Sequence, residues 1–291
     1  MTKFKQVDVF TTKSFKGNPV AIVMDGQSLQ TQQMQEIANW TNLSETTFVL
    51  PPKNPKADYA LRIFTPVQEL PFAGHPTIGT AYALLEEGLI KPKNGGLIQE
   101  CAAGLIALTV HETDDAPIIF FQLPKPKLTA LDSDEIDQLE IMLNCAINRE
   151  LPPILVDVGA RWIVMNTYNV RNVLAAQPDF SRLAIHNKAM QVTGICIYSE
   201  WGQNHIEVRS FAPACGANED PVCGSGNGSV AAFIRHYGKS SKFERTIKSS
   251  QGRVLERDGI VYLRITDEEI LVGGSAVTCI EGEINLPKSK K

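Results

Sequence analysis

Three short stretches of this chain hold residue types that can move or bind protons. Glu45 sits in NLSETTFV, at a turn before an apolar run; His75 sits in ELPFAGHPTIGTA, between Gly74 and Pro76; Asp220 and Cys223 sit in EDPVCGSGNGSVAA. A carboxyl withdrawn from water has its pKa raised toward neutrality and can then take a proton from a carbon acid and return it. A histidine at the second place can bind a carboxylate or relay a proton. A thiolate at a helix start is activated, and an aspartate can orient an ammonium or hydroxyl group. Each residue also has a plainer reading. Glu45 can be a solvated turn acid, His75 a helix-start residue bonded to backbone, Asp220 a turn former before Pro221, and Cys223 a small buried apolar group.

Both glycine-containing loops feed helical stretches that would position these residues. Pro76 suits an early-turn position, and Ile78, Ala81, Leu84 and Leu85 then form a stripe that Gly88 closes. Val230, Ala231, Phe233 and Ile234 form a second stripe, closed by Gly238. A turn entering a helix presents unpaired backbone N–H groups and the positive end of the helix dipole, which is an anion cradle. The plainer reading is that Gly224, Gly226 and Gly228 merely allow a tight turn and close packing.

The likeness of the two loops extends along the chain. Arg62-Ile63-Phe64-Thr65-Pro66 returns roughly 150 residues later as Arg209-Ser210-Phe211-Ala212-Pro213. In the same order Glu69, Pro71, Gly74, His75 and Gly88 align with Glu219, Pro221, Gly224, Ser225 and Gly238, and VDVF from Val7 with VDVG from Val156. Two homologous halves follow, and the counterpart of Glu45 falls near Gly194, so only one half carries the acid. Strands are expected at residues 4–10, 19–24, 46–50, 59–64, 105–110, 118–122, 253–264 and 269–280, and further helices at 27–42 and 133–145. Many short strands with one apolar helix per half predict an α+β fold, each sheet wrapped around its central helix. The boundary is expected at 122/123, with a second domain over 123–278 and residues 279–291 returning to the first. Two cradles facing each other across the halves suit a small carboxylate-bearing substrate held between domains.

Composition narrows the classes. The 291 residues are 43% apolar and 21% charged, as in soluble globular chains, and are long enough for two cores. A net charge of −4 argues against a nucleic-acid or anionic-membrane partner, and Lys288, Lys290 and Lys291 read as a solvated tail. No apolar run approaches a membrane span or a signal peptide. The six cysteines form no Cys-x-x-Cys pair or zinc-like cluster and are expected as thiols in the cytoplasm, with no metal site. GSGNGS resembles a dinucleotide loop with Glu244 about twenty residues on. Its third glycine is replaced by Ser229, however, and NEDPV before it reads as a turn rather than a buried strand.

The runs FTTKSFKGNPVAIV, NLSETTFV, RIFTPVQELPFAGHPTIGTAYAL, RSFAPACGANEDPVCGSGNGS and QGRVLERDG together resemble the phenazine-biosynthesis isomerase (PhzF-like) family, over about Val7 to Gly282. The resemblance implies a diaminopimelate-epimerase-like fold of two similar domains with the active site in the cleft between them. It implies Glu45 as the single general acid/base, with His75 and Asp220 as further catalytic residues. Asn18, Gly74, Gly224, Ser225 and Gly226 are implied to bind substrate. It also implies a homodimer that uses neither metal nor organic cofactor. Related epimerases place a cysteine before each glycine-rich loop; here those places hold Ala73 and Cys223, which excludes a two-thiol racemase. A rival reading is a non-catalytic protein that keeps the cleft to bind a small ligand or a partner.

Overall fold

The computed structural model describes residues 1–240, 243 and 246–286; Glu244, Lys288, Lys290 and Lys291 lie outside the described residues. The chain divides into two units, Met1–Gln122 together with the chain from Gly273 onward, and Leu123–Val272. The first unit opens with β1 (Thr2–Val9), β2 (Asn18–Val23), α1 (Thr31–Thr41), β3 (Glu45–Leu50), β4 (Tyr59–Phe64) and β5 (Glu69–Leu70). It continues with α2 (Gly74–Glu86), β6 (Gly96–Cys101), β7 (Gly104–His111) and β8 (Ile118–Gln122). The second unit holds β9 (Lys127–Ala130), α3 (Ser133–Leu143), β10 (Ile154–Asp157), β11 (Arg161–Asn166), α4 (Val170–Ala175), α5 (Phe180–Ala189), β12 (Gly194–Gly202) and β13 (His205–Ala212). It ends with β14 (Ala217–Asp220), α6 (Gly224–His236), β15 (Ile247–Gln251) and β16 (Gly259–Ile265). Then β17 (Ile270–Gly274) carries the chain back, and β18 (Ala276–Ile284) rejoins the first unit.

The two units are built on one plan. In the first, β1 lies antiparallel between β18 and β2, β2 runs parallel to β3, and β3 pairs antiparallel with β4. From β4 the sheet continues with β5 antiparallel and β6 parallel, then β7 and β8 antiparallel. The second unit repeats these steps with β10 between β9 and β11, β11 parallel to β12, and β12 antiparallel to β13. From β13 come β14 antiparallel, β15 parallel and then β16 antiparallel. Each parallel step needs a crossover, and helices supply it. Of these, α2 and α6 are buried along most of their length because strands cover them: α2 packs on β1, β2, β3, β8 and β18, and α6 on β10, β11, β12 and β16.

Equivalent side chains hold both plans. A two-pronged Arg62–Glu69 pair, with N–O distances of 2.7 and 2.6 Å, ties β4 to β5 ahead of α2. The Arg209–Glu219 pair, at 2.8 Å on both prongs, does the same ahead of α6. Each guanidinium lies over the phenyl ring two residues on, Phe64 at 5.1 Å and Phe211 at 4.9 Å. Gln99 on β6 donates to Thr77 in the first turn of α2, and Asn227 in the first turn of α6 donates to Gln251 on β15. Both glutamines are fully buried, so each helix start is fastened to the strand that follows it.

Some element bounds differ from the sequence expectation. The strand expected from 253 begins only at Gly259, because Gly252 (φ 97°) and Glu256 (φ 58°) frame a 3-10 turn at Arg253–Leu255. The expected 269–280 strand is two strands, β17 and β18, that part at Ser275. α1 starts at Thr31 rather than 27, capped by reciprocal bonds between Gln30 and Gln33. NEDPV is not all turn: its first residues complete β14 before Pro221.

Candidate active site

Glu45 is the first residue of β3. It follows Asn42, whose left-handed φ of 54° ends α1 and turns the chain back into the sheet. The parallel pairing of β2 and β3 sets Val20 opposite Glu45. His75 is the second residue of α2, and its Nε2 lies 3.3 Å from Glu45 Oε2. Side-chain exposures of 15% for Glu45 and 8% for His75 keep the pair almost dry. Burial pushes the Glu45 carboxyl up to about 7, against the pull of a hydrogen bond from Ser44. Oδ1 of Asn18, the buried first residue of β2, lies 3.3 Å from the same Ser44 hydroxyl, as the alternative acceptor for its one proton. Gly74 closes this corner: a Cβ there would meet Phe121 Cζ at 2.6 Å, so glycine lets α2 start directly against the ring. The first unit thus gathers Glu45, His75, Asn18 and Gly74 around the start of one helix. Ala73 before it supplies no side-chain cap, so the positive end of the helix dipole is not offset by its own N-cap.

The second unit gathers Asp220, Gly224, Ser225 and Gly226 around the start of α6. Asp220 Oδ1 accepts the Val222 N–H at 3.0 Å in a turn over Pro221, and its carbonyl accepts from Gln251 Nε2 at 2.8 Å. Cys223 is the N-cap, with Sγ accepting the Gly226 N–H at 3.3 Å. Burial, with the Asp220 charge nearby, pushes the Cys223 thiol well above its ordinary range. A raised thiol whose sulfur caps the helix agrees with the plainer reading of Cys223 as a small buried group rather than with an activated thiolate. A Cβ on Gly226 would meet Ser210 Oγ at 2.8 Å and Cys196 Sγ at 2.9 Å, so that position is filled to the backbone. Half-buried Ser225 accepts a hydrogen bond from Trp162 Nε1 at 3.0 Å. Sequence reasoning passed over Ser44, Gln251 and Trp162. For Ser44 the signal was its place beside the acid, whereas Trp162 had none, because it meets Gly194 only across neighbouring strands.

Among the described residues all six cysteines are free, and no group of three or more His, Cys, Asp or Glu side chains is placed to hold a metal ion. No described helix is long and apolar enough to cross a membrane. A broad depression along α1, lined by Thr31, Gln35, Asn39 and Pro66, contains none of these candidate residues.

The sequence profile described as "Phenazine biosynthesis-like protein" matches residues 7–282. Antisense-enhancing sequence 1 of Schizosaccharomyces pombe is 44% identical over 291 residues, covering 96% of this chain and 97% of that protein. The trans-2,3-dihydro-3-hydroxyanthranilate isomerase of Pseudomonas chlororaphis is 33% identical, covering 96% and 98%. The crystal structure of a Bacillus anthracis phenazine biosynthesis protein of the PhzF family superposes with a TM-score of 0.85 at 27% identity, covering 98% and 99%. With the match running almost end to end in both sequence and fold, the chain belongs to the phenazine biosynthesis-like (PhzC-PhzF) family of isomerases.

Proposed function

We propose that this protein is a cofactor-independent isomerase that shifts a hydrogen within a small carboxylate-bearing substrate, with Glu45 as the general acid/base. The observation that carries this reading is the Glu45 carboxyl itself, nearly dry, 3.3 Å from His75 and with its pKa near 7. Such a group is populated in both forms at neutral pH, so it can accept a proton from one carbon and deliver it to another. A single acid/base suits a shift across one face of a molecule, whereas inversion at one centre wants two groups on opposite faces. His75 and Asp220 are assigned to hold the substrate, with Asn18 and the amides at Gly74, Gly224, Ser225 and Gly226 receiving its anionic and polar groups. The positive ends of α2 and α6 support the choice of a carboxylate. The name of the Pseudomonas chlororaphis relative supports a cyclic amino-acid-like substrate. By the same resemblance the protein acts as a cytoplasmic homodimer.

The test is hydrogen exchange in deuterated water over a panel of cyclic and amino-acid-like carboxylates that includes trans-2,3-dihydro-3-hydroxyanthranilate. Wild-type protein is expected to isomerise one of them with solvent-exchangeable hydrogen at carbon. Glu45→Gln is expected to bind it with near-normal affinity and to lose at least roughly a hundredfold in turnover. Full turnover by a folded Glu45→Gln removes Glu45 from the chemistry.

A further inference from the structure

Comparing the two units position by position shows how the second one uses the place where the first keeps its acid. Glu45 opens β3 and faces Val20 across the parallel β2–β3 step; Gly194 opens β12 and faces Trp162 across the parallel β11–β12 step. The small residue has moved from one strand to the other. A Cβ on Gly194 would lie 2.1 Å from the Phe211 carbonyl oxygen and 2.7 Å from Trp162 Cζ3, so no side chain fits there and the indole fills the space. Trp162 is 2% exposed. Its Nε1 reaches Ser225 Oγ at 3.0 Å, and Ser225 is the second residue of α6 as His75 is the second residue of α2. The residue at the helix start therefore meets a carboxyl in one unit and an indole N–H in the other.

That exchange fixes the direction of a hydrogen bond. An indole N–H can only donate, and a serine hydroxyl has one proton. With one lone pair of Ser225 Oγ taken by Trp162, the hydroxyl proton is turned away from the indole and can be donated elsewhere. Its near neighbour Cys223 Sγ, at 3.6 Å, is a weak acceptor that already takes the Gly226 N–H. We propose that Trp162 is a positioning residue that holds the Ser225 hydroxyl as a donor toward the substrate carboxylate, while its ring occupies the place of a second acid. This inference rests on the reading of the substrate as a carboxylate and is independent of which group moves the proton.

Benzoate serves as the probe, with binding followed by calorimetry and by the emission of Trp162 in a Trp40→Phe/Trp201→Phe background, where the other two tryptophans, both exposed, are removed. Ser225→Ala and Trp162→Phe are each expected to weaken benzoate by about tenfold, the cost of a hydrogen bond to a charged group. The double variant is expected to bind no more weakly than either single one, because both remove the same interaction. Benzoate is expected to shift Trp162 emission, and Ser225→Ala to abolish the shift; this readout decides the matter if Trp162→Phe does not fold. Wild-type affinity in Trp162→Phe beside weakened Ser225→Ala would overturn the inference, as would additive losses. Binding indifferent to both substitutions would also overturn it, while leaving the Glu45 chemistry to stand or fall on hydrogen exchange.

Discussion

Glu45 ionises near 4.5 in an unfolded chain but near 7 in the folded unit. Between those values the folded state keeps a proton that the unfolded state has released, so folding becomes less favourable as pH rises through that window. The total is up to about 3 kcal/mol once both values are passed, and none of it is felt below about pH 4.5. Glu45→Gln has no proton to lose. Its stability relative to wild type is expected to rise between pH 4.5 and 8 and to stay level below, as read by urea unfolding at several pH values. A difference that does not change with pH would mean that the folded carboxyl is already ionised near 4.5. Glu45 was legible in the sequence because the repeat left it without a counterpart. Trp162 was not, because its role depends on a space opened by Gly194 on the neighbouring strand, and no spacing along the chain reports a cross-strand vacancy.

The hairpin forks show how similar motifs differ in worth once they are placed in a fold. Arg209 and Glu219 are nearly dry, at 4% and 5% side-chain exposure, and Arg209 also donates to the carbonyls of Val173 and Ala176 at the end of α4. Arg62 and Glu69 remain 27% and 33% exposed. Arg209→Met strands a buried carboxylate and is expected to cost about 3–5 kcal/mol, whereas Arg62→Met is expected to cost about 1 kcal/mol or less. Chemical denaturation of the two variants measures both, and equal losses would contradict the assigned difference in burial. Elements were legible where periodicity was clean, as in β1–β4, α2 and α6. They were obscure where buried polar groups replaced apolar ones: β15 reads Ile247-Lys248-Ser249-Ser250-Gln251, and its serines and glutamine are buried by bonding to neighbours such as Asn227 and Glu207.

The first unit needs the returning chain to complete its sheet. β18 pairs with β1 from Thr2–Ile284 to Val9–Ala276, and Thr278 Oγ1 donates to Glu86 at the end of α2 at 2.6 Å. A chain ending at Val272 is expected to lose amide protection in β1, β2 and α2 while keeping it in β11, β12 and α6, as read by hydrogen exchange. Equal loss everywhere would show a single cooperative fold. The doubled ladder also makes the molecule its own control. Where both copies keep the same group, at Arg62 and Arg209, Glu69 and Glu219, or Gln99 and Gln251, the backbone that each must build demands it. Where they part, at Val20 and Trp162, Glu45 and Gly194, and His75 and Ser225, that demand is absent. Those three pairs form one layer at the mouth of each central helix. That layer differs between the two copies, while the strand order beneath it stays the same.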